Sequence, residues 1–268
     1  MALKSSNDGR KEIRTLLARA PEIFTNKQAQ EILLLPVEAT NRKLARWAKA
    51  GYIRRIRKGT YLQVPSYIEK PQEWLGDEYK LALNFWPNSY FTGWTSSNHW
   101  GLTEQVFRTI VLITSDRVRT ENGPTAATKF LIKRIRKLDL SWGIVHEWRD
   151  GSKVSIANPS RTIIDVLAHP ELSGGIQIGS EFLKAYLDDF DIRELIQDAS
   201  NFAPGSSVKR LGYLLELNGY GNMVELDKLK KAISKGVIPL DPSRARSGFR
   251  IMKWNILVNT KIEMGDRS

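Results

Sequence analysis

The sequence contains no cysteine and only three histidines among its 268 residues. The absence of cysteine excludes disulfide frameworks, thiol nucleophiles and thiolate metal sites, and it is typical of a reducing compartment. The histidines, His99, His146 and His169, do not have the spacing of metal ligands, and no nucleophile-elbow motif accompanies them. We therefore expect no metal and no cofactor, and we predict that the chain is not an enzyme.

Long hydrophobic runs are also missing. The longest apolar stretches, such as residues 32–37, are far shorter than the roughly 20 residues that a membrane-spanning helix needs. Residues 1–9 lack the apolar segment and the small-residue cleavage site of a secretory signal peptide. The sequence therefore predicts a soluble, cytoplasmic protein that does not bind a membrane.

The whole chain has a formal net charge of +12, and most of this positive charge is concentrated in its first quarter. Residues 1–70 hold 15 lysines and arginines against 6 aspartates and glutamates, whereas residues 71–268 hold 26 against 23. A compact basic module favours a polyanionic partner, because each phosphate that it neutralises releases condensed counterions. Nucleic acid is the leading candidate.

The basic module shows the pattern of three helices. Apolar residues recur at helical spacing over residues 10–20, which predicts the first helix. Thr25 and Gln28 have the form of a capping box at the start of a short second helix. A third helix is expected to begin at residue 38 or 40 and to run to residue 50, where Gly51 would end it as a left-handed cap.

The third helix and the segment after it are typical of a winged helix-turn-helix. Leu44, Trp47 and Ala48 would pack inward, and the opposite face carries donors for base edges and phosphates. Residues 52–64 then alternate as two strands around a cationic turn. The residues predicted to bind DNA are Thr40, Asn41, Arg42, Lys43, Arg46, Lys49, Arg54, Arg55, Arg57 and Lys58.

This surface predicts binding to duplex DNA, with Asn41 and Arg42 at base edges and the other cations at phosphates or the minor groove. A basic amphipathic helix is also often merely solvated, so the prediction depends on the whole ordered series of elements. RNA is the less favoured partner. The module lacks an exposed stacking platform, because Trp47, Tyr52 and Tyr61 are expected in its core.

Composition becomes ordinary after Pro65 and Pro71, so a second domain is expected over residues 71–268. Asp150-Gly151 predicts a hairpin turn between two of its strands. The predicted strands are residues 108–114, 129–136, 143–148, 153–157 and 249–258. The predicted helices include residues 160–168, 180–187, 192–202, 207–218 and 226–234. The expected fold class is α+β, with an N-terminal winged helix-turn-helix followed by a larger mixed α/β domain.

Further cations lie in the second domain, and two interpretations stay open for them. They could form solvated surface, where cations on an edge strand discourage aggregation. They could also extend the footprint on the duplex by contacting phosphates without reading sequence. The surface interpretation is favoured. The residues concerned are Lys133, Arg134, Arg136, Lys137, Lys209, Arg210, Arg244, Arg246 and Arg250.

Four short sequence segments of the second domain, which we call phrases, resemble segments of the AbiEi family of antitoxin repressors. They are residues 89–94 leading to 99–102, residues 156–165 with Asn158-Pro159 and a final Asp165, residues 208–216, and residues 254–259. They follow one another in the family's order behind the expected N-terminal module. Trp100 separates His99 from Gly101, which departs from the family's pattern, so no role is transferred to His99.

The resemblance implies an antitoxin of a type IV toxin-antitoxin system that serves in phage defence and represses its own promoter. The implied partners are an inverted repeat in double-stranded promoter DNA and a nucleotidyltransferase-like toxin, with no stable complex between toxin and antitoxin. A second hypothesis makes the domain over residues 71–268 an enzyme or a direct toxin-binding module, with the winged helix as an accessory. The support for this hypothesis is the size of the domain, since nearly 200 residues are more than DNA recognition requires.

Overall fold

The computed structural model describes residues 3–118, 129–149 and 151–263, which divide into two compact units. The first unit extends to Pro87, and the sequence-based boundary after residue 70 falls inside it. The second unit takes up residues 88–117 and the described residues of 129–263. Both units mix helices and strands, so the chain is α+β. No helix among the described residues combines the length and apolarity needed to cross a membrane.

The first unit consists of helices around a small antiparallel sheet. Its elements are α1 (Leu3–Arg19), β1 (Ile23–Thr25), α2 (Asn26–Leu33), α3 (Val37–Lys49), β2 (Ile53–Arg57), β3 (Thr60–Gln63) and α4 (Glu78–Phe85). The strands lie in the order β1-β3-β2, and both pairs are antiparallel. The helix α1 begins earlier than the apolar pattern from residue 10 predicts.

Local sequence features begin α2 and end α3 as predicted, although α3 begins at Val37 and not at residue 38 or 40. The Thr25 hydroxyl accepts from the Gln28 backbone N–H, and the Gln28 side chain accepts from the Thr25 backbone N–H at 2.8 Å, which confirms the capping box. Gly51 follows α3 with φ +82°, a left-handed conformation that glycine adopts without steric cost. Local chemistry therefore fixes the start of α2 and the end of α3, whereas α3 begins at Val37, after Pro36, without a side-chain cap.

The core of the first unit lies between α1, α3 and the sheet. Leu16, Phe24 and Leu44 are completely buried there, and Trp47 is nearly so. Phe24 belongs to β1, a strand that the sequence analysis does not predict, and it lies opposite Tyr61 of β3. The three helices and the hairpin β2–β3 thus share one apolar interior.

The second unit is built on a five-stranded mixed sheet with helices packed beside it. The sheet has the order β6-β5-β4-β8-β7, and a smaller sheet has the order β10-β11-β9. The strands are β4 (Ser89–Phe91), β5 (Thr109–Thr114), β6 (Lys129–Arg134), β7 (Ile144–Arg149), β8 (Ser152–Ala157), β9 (Ile238–Pro239), β10 (Phe249–Ile251) and β11 (Ile256–Val258). The helices are α5 (Gly93–His99), α6 (Pro159–Ala168), α7 (Ile176–Asp189), α8 (Ile192–Phe202), α9 (Gly205–Leu217) and α10 (Leu226–Lys231).

The structure supports one predicted feature of this unit, a hairpin, and contradicts another, a single closing strand. The strands β7 and β8 pair antiparallel, as the hairpin prediction requires, and Gly151 has φ +75°. Asp150, the other predicted turn residue, lies outside the described residues. The single closing strand predicted over residues 249–258 is wrong, because a 3₁₀ turn and the left-handed Asn255 (φ +49°) fold it back into the antiparallel pair β10–β11.

The four phrases that carry the family resemblance meet in the interior of the second unit. The Tyr90 and Thr92 hydroxyls both donate to Oδ2 of Asp165 at 2.8 Å, which links the first phrase to the second. The third and fourth phrases meet where Gly212 of α9 lies against the ring of Trp254. These phrases therefore hold the core of the unit together.

Candidate nucleic-acid interface

The helix α3 has one apolar face and one cationic face. Thr40, Leu44 and Trp47 are buried, and their spacing places them on one side of the helix. Three residues on the opposite side, Arg42, Arg46 and Lys49, are all exposed. With about 100° of rotation per residue, these three side chains leave the helix within roughly 60° of one another. The outer face of α3 is thus a continuous cationic ridge.

The hairpin β2–β3 adds two exposed cations to this unit. Arg55 is exposed on β2, and Lys58 is exposed in the turn, where Gly59 adopts φ +74°. Within the described residues, neither of them and none of the three ridge cations has a hydrogen-bond or ion-pair partner. These side chains can meet phosphates without first breaking a hydrogen bond or an ion pair, although the guanidinium group of Arg46 lies against Gly9 of α1. We call them the open cations: Arg42, Arg46, Lys49, Arg55 and Lys58.

Two predicted residues on the flanks of α3 are held by neighbouring helices. Lys43 forms an ion pair with Glu12 of α1. Asn41 accepts a hydrogen bond from the side-chain amide of Asn26 at the start of α2, at 2.6 Å. Both are engaged in packing the helices together, so any contact with DNA would have to compete with these bonds.

The sequence analysis predicts that the hairpin arginines Arg54 and Arg57 face DNA. The structure shows that both make hydrogen bonds within the first unit. Arg54 donates from Nη1 to the carbonyl oxygen of Trp74 at 2.6 Å, and partial burial lowers its pKa from the ordinary value. Arg57 donates from Nη2 to the carbonyl oxygen of Asn84 at 3.3 Å and lies over the ring of Phe85 at 4.9 Å. These two arginines attach the hairpin to the segment around α4.

Two placements in the first unit need correction. Thr40 is completely buried, because its position on α3 faces the core and its hydroxyl donates to the Pro36 carbonyl at 3.1 Å. It does not lie on the outer face. The sequence predicts Tyr52 in the core, but its side chain is 48% exposed, whereas Trp47 and Tyr61 are buried as predicted.

The further cations of the second unit fall into three groups. Lys133 pairs with Glu171 at 2.7 Å. Lys209 and Arg210 are buried, so both interpretations from sequence are wrong for them. Arg210 donates to the carbonyl oxygens of Leu167 and Leu240, and burial lowers its pKa to about 10. The remaining members are exposed: Arg134, Arg136, Lys137, Arg244, Arg246 and Arg250.

The histidines are engaged in local contacts. His99 lies 2.9 Å from a carboxylate oxygen of Glu147, and His146 lies 3.1 Å from the Ser155 hydroxyl. Over residues 3–118, 129–149 and 151–263, no three His, Asp or Glu side chains are grouped so as to hold a metal ion.

Among solved structures, the chain is similar in fold to the RV2827C protein from Mycobacterium tuberculosis. The two superpose with a TM-score of 0.61 at 14% sequence identity, over 91% of this chain and 89% of that chain. At this identity the likeness concerns the fold alone. Comparisons of the sequence with known protein families and with characterised proteins give no match.

Proposed function

We propose that the first unit is a winged helix-turn-helix that binds duplex DNA. The helices α2 and α3 are joined by a tight turn in which Leu34 adopts the left-handed conformation, and β2–β3 follows α3 as the wing. In this arrangement α3 is the recognition helix that enters the major groove. The wing lies beside it and contacts the neighbouring backbone.

The observation that carries the proposal is the set of open cations. Arg42, Arg46 and Lys49 share the outer face of α3, and two more lie on the wing. Each cation that neutralises a phosphate releases counterions, which favours association, and no hydrogen bond or ion pair within the described residues competes with it. Arg42 lies nearest the N-terminal end of α3, the end that contacts base edges in this motif.

We further propose that the chain is an antitoxin that represses its own promoter, as the resemblance to the AbiEi repressors implies. Two copies would occupy an inverted repeat, since the symmetry of a palindromic site matches that of a protein dimer. The functional partner would be a nucleotidyltransferase-like toxin that forms no stable complex with this chain. The support is the resemblance of the four phrases together with a basic first unit.

DNA titration with the full-length protein tests the binding surface. The duplex carries the promoter upstream of the protein's own gene, and the salt concentration is fixed. The variant Arg42→Ala/Arg46→Ala should weaken binding at least about tenfold, since each good arginine contact contributes on the order of 1–3 kcal/mol. The control Arg244→Ala/Arg246→Ala removes the same charge from exposed positions of the second unit and should bind nearly as the wild type does.

The same variants test repression in the cell. A reporter gene behind the promoter should be repressed by the wild type and by the Arg244/Arg246 control, and derepressed by the Arg42/Arg46 variant. Undiminished promoter affinity in the Arg42/Arg46 variant would reject α3 as the recognition helix. Equal loss in both double variants would mean that α3 contributes no more to binding than the exposed cations of the second unit, and it would also reject α3 as the recognition helix.

A further inference from the structure

One acidic side chain lies on the cationic face of α3. Glu38 is in the first turn of the helix, one turn before Arg42, and both side chains are exposed on the outer face. Within the described part of the chain Glu38 has no hydrogen-bond or ion-pair partner. It is also the only acid between Val37 and Val64, a stretch that holds eight lysines and arginines.

A carboxylate at this position weakens attraction to phosphates, so charge complementarity alone does not explain it. A negative charge in the first turn does stabilise a helix through the macrodipole, but only by about 0.3–1 kcal/mol at an exposed site. The base edges offer a second explanation. A carboxylate accepts a hydrogen bond from the N4 amino group of cytosine, and an arginine donates to O6 and N7 of guanine.

We propose that Glu38 determines the specificity of DNA recognition by accepting a hydrogen bond from the N4 amino group of cytosine in the major groove. Arg42 reads a guanine close by. The two residues are separated by four positions, about 6 Å along the helix axis. That distance spans about two base-pair steps of roughly 3.4 Å each. The inference rests on the proposed function, because it assigns one base contact of the proposed recognition helix.

Selection from a randomised duplex library tests the proposal. The wild type should enrich a motif with a required cytosine within about two base steps of a required guanine. Glu38→Gln should change the preference at the cytosine position to adenine, because a glutamine amide pairs with N6 and N7 of adenine. On the wild-type motif this variant should lose about tenfold in affinity or more, whereas on unrelated duplex it should bind more tightly.

Glu104→Gln is the matched control, since it removes one exposed carboxylate from the second unit. It should leave the selected motif unchanged. Thermal unfolding of each variant separates loss of recognition from loss of helix stability. If the wild type binds and Glu38→Gln selects the same motif, the inference is overturned and Glu38 only stabilises the start of α3. If the wild type binds no duplex, the proposed function fails, and the inference fails with it.

Discussion

Arg57 of β2 donates a hydrogen bond to the carbonyl oxygen of Asn84, the last but one residue of α4, at 3.3 Å. The same guanidinium group lies over the ring of Phe85 and donates from Nε to the Thr60 hydroxyl at 3.2 Å. Its neighbour Arg55 has no partner within the described residues and is exposed. Two arginines of one strand thus have different roles. Arg57 attaches the hairpin to α4, whereas Arg55 is available to a ligand.

Replacing each of these arginines by alanine should separate stability from binding. Arg57→Ala should lower the free energy of unfolding by about 1–3 kcal/mol, since hydrogen bonds of a charged group and a cation–π contact are lost. Arg55→Ala should change it by less than about 0.5 kcal/mol but weaken DNA binding. Urea unfolding and DNA titration measure the two effects. Equal destabilisation by both substitutions would contradict the assignment.

The salt dependence of DNA binding should distinguish Arg46 from Lys43. Arg46 is one of the open cations, and Arg46→Ala should reduce the slope of log K against log salt by about 0.9, the value of one phosphate contact. Lys43 is paired with Glu12, so Lys43→Ala should leave the slope nearly unchanged. Titrations at four or more salt concentrations give the slopes. A larger change for Lys43 than for Arg46 would contradict this division.

Local chemistry explains why much of the fold can be predicted from the sequence. The capping box at Thr25 and the left-handed Gly51 each depend on residues only a few positions apart, so the sequence alone reveals them. The strand β1 could not be predicted in this way. It has three residues, too few for an alternating pattern, and it exists only because β3 supplies its pairing partners.

The errors in the predicted site have the same origin. A cation is expected at the surface unless carbonyl groups surround it, and such groups come from distant parts of the chain. Arg210 receives them from residues 167 and 240, and Arg57 receives one from residue 84. A bulge between Arg55 and Arg57 also breaks the simple alternation of β2. Sequence patterns therefore found α3 and its outer face, but not which hairpin arginines are engaged.

Asp165 should make stability depend on pH between about 4 and 6. Burial raises its pKa from 3.8 to about 6, against the opposing effects of Arg161 and the two hydroxyl donors. The folded state therefore binds a proton more readily than the unfolded state does. Its contribution to stability is fully present below the unfolded pKa and is lost as the pH rises through about 6, by roughly 3 kcal/mol.

The variant Asp165→Asn should remove this pH dependence, because an amide does not titrate and its oxygen still accepts from the Tyr90 and Thr92 hydroxyls. Urea midpoints measured from pH 4 to pH 7 should be flatter in the variant than in the wild type. Glu104→Gln, which removes an exposed carboxylate, should keep the wild-type profile. A profile of Asp165→Asn that matches the wild type would show that another group titrates.

Gly212 should tolerate no side chain. A Cβ atom built on it would lie 2.1 Å from Cζ3 of Trp254, an indole that is completely buried. Gly212→Ala should therefore lower the free energy of unfolding by about 1–3 kcal/mol or more, although alanine is the better helix former. The control is Gly179→Ala in α7, where the nearest atom would be 3.5 Å away. It should be neutral or stabilising in urea unfolding.

The residues that carry the resemblance to the AbiEi repressors lie inside the second unit, where Tyr90 contacts Asp165 and Gly212 contacts Trp254. Glu38, Arg42 and the other residues proposed to meet DNA lie outside those phrases. Two proteins with the same phrases would therefore share an interior architecture and still be free to bind different operators. Kinship inferred from such phrases concerns how the chain folds, and the choice of binding partner has to be determined from the side chains that solvent reaches.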